Sequence, residues 1–535
     1  MVCFRHAAPL SRRALAKFLA IAGGTAMVGP PRGSAARDRD KTIVFALPDL
    51  VGNFEPQTWI GFGDSVHVVD MVARGLTHMD FSDPVPQPAV AESWSLSPDG
   101  LTYDFSIRRG LTFHDGTPVD AQAVLRTFNR MIDSTDPTRP DMSFALENLG
   151  GANIAGFSVP WPNTFRIILK KPDAALPGRL SRPDMVIISP RTLSEKGRHI
   201  GPDLSACGPY RITSVTSNER VVLEAFDGFY AGRPATRRVV MEVIPDPLAQ
   251  ISALASDQLN ITNSVPYSNI DRLGRMEGLR FTRPAAFITT ALAMNCSARK
   301  LADLRVRQAI NHGIDREAII ADAFFGKAEL PGYITPKSEP GYDPSHMDLS
   351  AFDPEKASAL LRDAGMMGME LTILSENNGF WMRLGQVVER SLRTIGIRAT
   401  VDYLDTGTFN ARAFSRTGHD ACFLQRSAFF PDPDGRFSPL FATGCTVAEH
   451  MTAQTGLPDQ PALDQAIAAA NAEHDPTRRA ARYVAMNRFM AERMLPVAAM
   501  VNTFMPVVAS AGLRGIPVNA LGTFRTFLED VVVDA

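Results

Sequence analysis

Cysteine is scarce in this chain, with five in 535 residues. One of them, Cys3, lies in the first 36 residues, and no two are spaced CxxC, which excludes a thioredoxin-type redox centre. Positive charge is not in excess either: 55 Lys and Arg stand against 57 Asp and Glu, a net charge of -2. The first 36 residues hold Arg5, Arg12, Arg13, Lys17 and Arg32 and no acidic residue, so the remainder carries -7. Such a chain lacks the basic footprint of a nucleic-acid binder, and no nucleic-acid partner is expected. Long apolar runs are missing: the best candidate, 14–28, is short for a membrane span and contains Lys17. Enzyme signatures are also missing, with no HExxH zinc helix, no GxSxG elbow and no GxxxxGK[ST] phosphate loop. His114, His199, His419, His450 and His474 form no compact cluster, so neither a resident metal nor a cofactor is expected.

What is present is bulk. At 58.2 kDa and 45% hydrophobic residues the chain can build a large core, and its length calls for more than one lobe. The N-terminus reads as an export signal over residues 1–36. Arg12-Arg13 precedes a mildly apolar stretch, and Ser34-Ala35-Ala36 offers small residues for cleavage, a twin-arginine-like layout. An oxidising compartment permits disulfides, and four cysteines allow three complete pairings. The shortest loop would join Cys422 to Cys445, and the sequence leaves the pairing among Cys207, Cys296, Cys422 and Cys445 open.

Periodicity then alternates between strand and helix. Residues 42–47 form a short apolar strand candidate. In 101–108, Leu101, Tyr103, Phe105 and Ile107 alternate with polar neighbours, the period of a half-buried strand. Asp120 is placed to cap a helix whose buried stripe is Val124, Phe128 and Met131. Strands are expected at 221–224 and 239–243, and a helix through 304–324 bent at Gly313. Asp353-Pro354 reads as a cap followed by first-turn proline. Val388, Leu392 and Ile395 line a helix closed by Gly396, before the alternating 397–401 strand. Tyr483, Met486, Met490 and Met494 are expected as core. The sum is an α/β protein with lobes packed side by side.

Several ordered segments sharpen this. Residues 91–130 read AESWSLSPDGLTYDFSIRRGLTFHDGTPVDAQAVLRTFNR. Downstream come Gly208-Pro209-Tyr210, Tyr230 in DGFYAGRP, the helix DLRVRQAINHGIDREAII at 303–320, and FDPEKASALLRDAG with a following helix ending in IGI. Together they resemble the extracellular solute-binding proteins of the peptide and nickel uptake type, family 5, over the chain from about residue 41 onward. The resemblance implies a two-lobed periplasmic binding protein-like fold, type II, with an additional subdomain in the first lobe. Mapped here, the first lobe holds 41–90, 205–288 and 500–535, the additional subdomain 91–204, and the second lobe 289–499. It further implies a periplasmic monomer that binds a small solute or short peptide. An inner-membrane ABC permease with its ATPases would receive the cargo unchanged. A carrier of a metal–chelator complex, or a ligand-sensing protein without a transport role, is the alternative.

Most signature residues have structural explanations. His114 is expected as a turn residue, Tyr210 as a buried ring with a backbone partner, and Arg305 and Arg307 as an ion-pair network with Asp303 and Asp315. The informative departure is Gln425-Arg426-Ser427-Ala428-Phe429-Phe430-Pro431-Asp432. Peptide-binding relatives carry here an aspartate that holds the peptide ammonium; Phe429 matches that aspartate, and Arg426 matches a position often held by tryptophan. A phenyl ring does not replace a carboxylate, and an arginine repels an ammonium while favouring carboxylate or phosphate. An anionic, amphipathic solute is therefore expected. Phe54 and Trp59 after the first strand, Asn377, Trp381 and Arg383 near a second-lobe helix, and Arg426, Phe429 and Phe430 are the candidate ligand contacts.

Overall fold

A computed structural model describes residues 42–49, 54–58, 65–79, 85–140, 145–428, 430, 432–445, 447–516 and 527–533. The expected export signal, Trp59 and Phe429 lie outside the described residues. Within the compact unit Lys41–Ala535, three sheets carry the architecture.

The first is seven-stranded. Its centre is Thr42–Leu47, parallel to both Arg238–Val243 and Ile261–Thr262, with Val507–Ser510 beyond the latter. Ile43, Phe45 and Leu47 point into one buried cluster with Tyr210, Val221, Leu223, Val239 and Met241. The second sheet is four-stranded and antiparallel, from Ala91–Leu96 to Thr164–Leu169. Tyr103, Phe105 and Ile107 of its Thr102–Ile107 strand are buried, as the alternation predicts. The helix Ala121–Ile132 covers them with Val124, Phe128 and Met131, and Asp120 caps it by accepting from the Ala123 amide at 2.8 Å.

The third sheet has five strands, built on Ile288–Met294, Glu370–Glu376, Arg398–Leu404, Ala421–Arg426 and Val497–Thr503. Its central strands are buried on both faces, and helices cover it. The expected 304–324 helix is two helices, Leu304–Gly313 and Arg316–Asp322, each capped by an aspartate, Asp303 and Asp315. Gly313 is the last residue of the first, and the site admits no side chain: a Cβ there would lie 2.4 Å from Ile395 Cδ1. Asp353 caps Pro354–Asp363, and Tyr483, Met486, Met490 and Met494 are buried in the same core.

The seven-stranded and five-stranded sheets are the cores of two lobes. The chain passes between them at Phe287–Ile288 and again at Thr503–Phe504, where Ile288 and Thr503 are paired neighbours. The four-stranded sheet's covering helix is linked to the segment after the first strand. Arg130 reaches from its helix to Glu55 with bonds of 2.7 and 2.9 Å, both side chains almost wholly buried.

The open question of cysteine pairing is answered, and one expectation, for Arg307, needs correction. Cys422 and Cys445 are free, as are Cys207 and Cys296. Cys422 sits mid-strand, paired in register with Ala293, and its thiol is buried in the core instead of facing a partner. Burial pushes the Cys422 and Cys445 thiols up to about 12. Arg307 is not in an ion pair: it points inward and donates to the carbonyls of Met494, Leu301 and Ala302 at 2.6–2.9 Å. Arg305 does pair with Asp303, at 2.7 Å.

Candidate functional site

In open α/β sheets, ligands meet the carboxyl ends of parallel strands, because loops and helix starts converge there. In the second lobe the parallel strands Glu370–Glu376 and Ala421–Arg426 end side by side. Arg426 lies at that end, opposite Thr289 on the strand that enters the lobe. Its side chain is half-buried, and one Nη1 donates to the Gln425 carbonyl at 3.0 Å. Among the described residues it makes no ion pair. Burial lowers its pKa from the usual arginine value, and the neighbouring Cys422 and Glu376 only partly offset this. The group remains a desolvated cation with donors to spare.

The helix Asp434–Phe441 comes next in the chain. Arg436, nearly fully buried, uses all its donors: two to Glu339 at 2.7 and 3.1 Å, one to the Arg426 carbonyl at 3.1 Å, and others to Phe287 O and Thr289 Oγ1. The strand end at Arg426 is thereby tied to the interlobe crossing. Asp432 accepts from the Asp434 amide at 2.8 Å and grips Arg479 at 2.5 and 2.7 Å, so it shapes the turn and is already engaged.

Of the expected contact residues, Arg426 stands at the end of the strand Ala421–Arg426, and Phe430, four residues on, packs against Arg179 and Gly178. Phe430 is buried, its ring 5.4 Å from the guanidinium carbon of Arg179. Phe54 is buried in the first-lobe core. Trp381 is also a packing residue, stacked on Phe423 at 5.7 Å with planes 6° apart. Arg383 is exposed and lies 5.5 Å over the Phe325 ring, and Asn377 is exposed beyond the end of its strand, its amide donating to Leu404 O at 2.8 Å.

Sequence reasoning misses Asn263. It directly follows Ile261–Thr262, at the carboxyl end of the first lobe's parallel strands; it is 5% exposed, and its buried Nδ2 has no hydrogen-bond partner among the described residues. A buried amide donor left unmatched costs free energy unless an acceptor arrives. The only sequence signal is the polar run Thr262-Asn263-Ser264 after an apolar strand. Among the described residues, no group of three or more His, Cys, Asp or Glu is placed to hold a metal ion.

Two lobes joined by paired crossings, each with a polar side chain at the carboxyl end of its parallel strands, are a frame suited to holding a dissolved molecule. Comparison with known proteins makes the family definite. Residues 85–446 match the model described as bacterial extracellular solute-binding proteins, family 5 middle, and the chain belongs to that family. It is 28% identical over 417 residues to a glutathione-binding protein of Salmonella paratyphi A, covering 77% of this chain and 79% of that one. Three solved structures share its fold. The ABC transporter-associated periplasmic binding protein DppA of Helicobacter pylori, in complex with the peptide STSA, superposes with a TM-score of 0.80 at 21% identity, covering 94% of this chain and all of that one. The Agrobacterium protein AgaA, in complex with agropinic acid, gives 0.79 at 23%, covering 92% and 99%. NikA of Brucella suis, in complex with Fe(III)-EDTA, gives 0.80 at 23%, covering 92% and 100%. The chain is thus a periplasmic solute-binding component of an ABC uptake system, a carrier and not an enzyme, working with an inner-membrane permease and its ATPases.

Proposed function

We propose that the cargo is a small anionic, amphipathic solute, peptide-like in size, whose carboxylate or phosphate is taken by Arg426. The observation that carries this is the guanidinium itself: half-buried, bound among the described residues only to a neighbouring carbonyl, and placed at the carboxyl end of the second-lobe strands. Desolvating a cation is unfavourable unless an anion meets it. Position 429, a phenylalanine where peptide-binding relatives carry an ammonium-binding aspartate, argues against capture of a free peptide amine. Asn263 would add a neutral donor from the first lobe. Glutathione, which carries two carboxylates, and agropinic acid are the solutes named for two relatives, and both suit this charge pattern. An anionic metal–chelate suits it as well.

The lobe division proposed from the resemblance is supported by sheet membership: the four-stranded sheet falls within 91–204 and the five-stranded sheet within 288–503. The second crossing then falls near residue 504 instead of 500.

Calorimetric titration tests the proposal. Glutathione, N-acetylated di- and tripeptides, the same peptides with free amines, and Fe(III)-EDTA are the probes. Binding of one or more anionic probes, weakened tenfold or more in Arg426→Gln, is expected; a lost charge-assisted hydrogen bond is worth about 1.5–3 kcal/mol. Tight peptide binding that vanishes on N-acetylation contradicts it.

A further inference from the structure

Phe430 and Asp434, the latter the first residue of the helix Asp434–Phe441, touch the additional subdomain. Arg179, at the end of the short helix Leu176–Arg179, donates through Nη2 to Asp434 Oδ2, and Asp434 has no exposed surface. A second carboxylate, Asp173, lies 3.4 Å from Arg179 Nε. The Phe430 ring lies under the same guanidinium and against Gly178, where an added Cβ would come 3.1 Å from the ring. Beside this cluster the Ala174 amide donates to the Asn471 carbonyl at 2.7 Å.

These contacts join parts that the fold otherwise keeps separate. On one side, Leu176 and Leu180 belong to the core under the four-stranded sheet, which the buried Arg130–Glu55 pair fastens to the first lobe. On the other side, Asp434 begins the second-lobe helix Asp434–Phe441, and Asn471 ends the helix Gln460–Asn471. Covalently the lobes meet only at the two neighbouring crossings. Rotation about them must therefore break the Arg179–Asp434 pair, withdraw Phe430 from Gly178 and free the Ala174 amide.

We infer that Asp173, Arg179, Asp434 and Phe430 form a built-in latch between the additional subdomain and the second lobe, which holds the lobes closed without help from any solute. Its parts are complementary in shape and charge: a flat guanidinium between two carboxylates, with an aromatic ring on its face and a glycine that admits the ring. A latch of this kind raises affinity for every cargo alike, because the closed form is already populated before binding. It acts independently of the anion preference assigned to Arg426, and either can fail without the other.

The test uses the chain from Lys41 onward, stripped of bound solute by unfolding, dialysis and refolding. Amide exchange at Ala174 and the solution-scattering radius of gyration are measured for the wild type, Arg179→Met and Gly178→Val. The last leaves every charge in place and wedges the ring away. The latch predicts a protected Ala174 amide in the solute-free wild type. In both variants exchange should be faster by about tenfold or more, with a larger radius of gyration and cooperative melting retained. If Arg179→Met does not fold, Gly178→Val decides. The inference is overturned if Ala174 exchanges freely in the wild type, or if exchange and scattering are unchanged in the folded variants.

Discussion

Arg426 ends the strand Ala421–Arg426 and Arg436 lies ten residues on, in the helix Asp434–Phe441, yet their surroundings differ completely. Arg436 is sealed in, and Glu339, two backbone carbonyls and a threonine hydroxyl take all its donors. Arg426 shares the burial only in part and spends one bond on its neighbour's carbonyl. Arg307 and Arg316 side with Arg436: both are buried and satisfied by carbonyls. An arginine whose donors are met inside the fold is architecture, whereas one left with open donors at the strand ends is available to a solute.

The comparison can be broken most forcefully at Arg436. Arg436→Met leaves Glu339 buried and uncompensated, in a setting where burial already raises its pKa. A loss of about 3–5 kcal/mol in urea unfolding is expected. Adding Glu339→Gln should recover part of it. A core change away from either arginine provides a scale: Gly313→Val drives a side chain into Ile395 and is expected to cost about 1–3 kcal/mol, read by the same unfolding curves. Arg426→Gln should fall below both, within about 0.5 kcal/mol of the wild type, because it removes a desolvated charge and breaks no pair. If it destabilises as much as Arg436→Met, the contrast fails.

The smallest effect concerns pH. His114 donates from Nε2 to the Gly208 carbonyl at 3.1 Å, while its Nδ1 is buried and unpartnered. Burial pulls its pKa down from 6.5 to about 4, with nearby Arg211 contributing in the same direction. The folded protein thus prefers the neutral ring, and the unfolded chain binds the proton first. Stability from this group is complete above pH 6.5 and declines as pH falls toward 4. Replacement by Gln should flatten that part of the stability–pH curve.

Much of the fold is legible from periodicity. The 42–47 strand, the alternation around Phe105 and the Asp120 and Asp353 caps depend on local geometry, and they form where the pattern places them. Contacts between distant segments are less legible. Cysteine spacing does not reveal that Cys422 faces the core mid-strand. Arg307 has aspartates nearby in sequence but turns toward carbonyls of a remote segment, because the core leaves it no other direction. At the site, Arg426 stands out because it departs from a family pattern. Asn263 does not, because only the packed sheet makes its amide a buried donor. Trp381 has the composition of a pocket wall, and the strand beneath it uses it as packing.

The central claim is that Arg426 holds the negative charge of a captured solute. Native mass spectrometry of freshly purified wild type and Arg426→Gln tests it most directly. The account predicts a noncovalent adduct bearing a carboxylate or phosphate in the wild type, and its loss in the folded variant. A cationic adduct, or the same adduct retained at equal occupancy by Arg426→Gln, would contradict it.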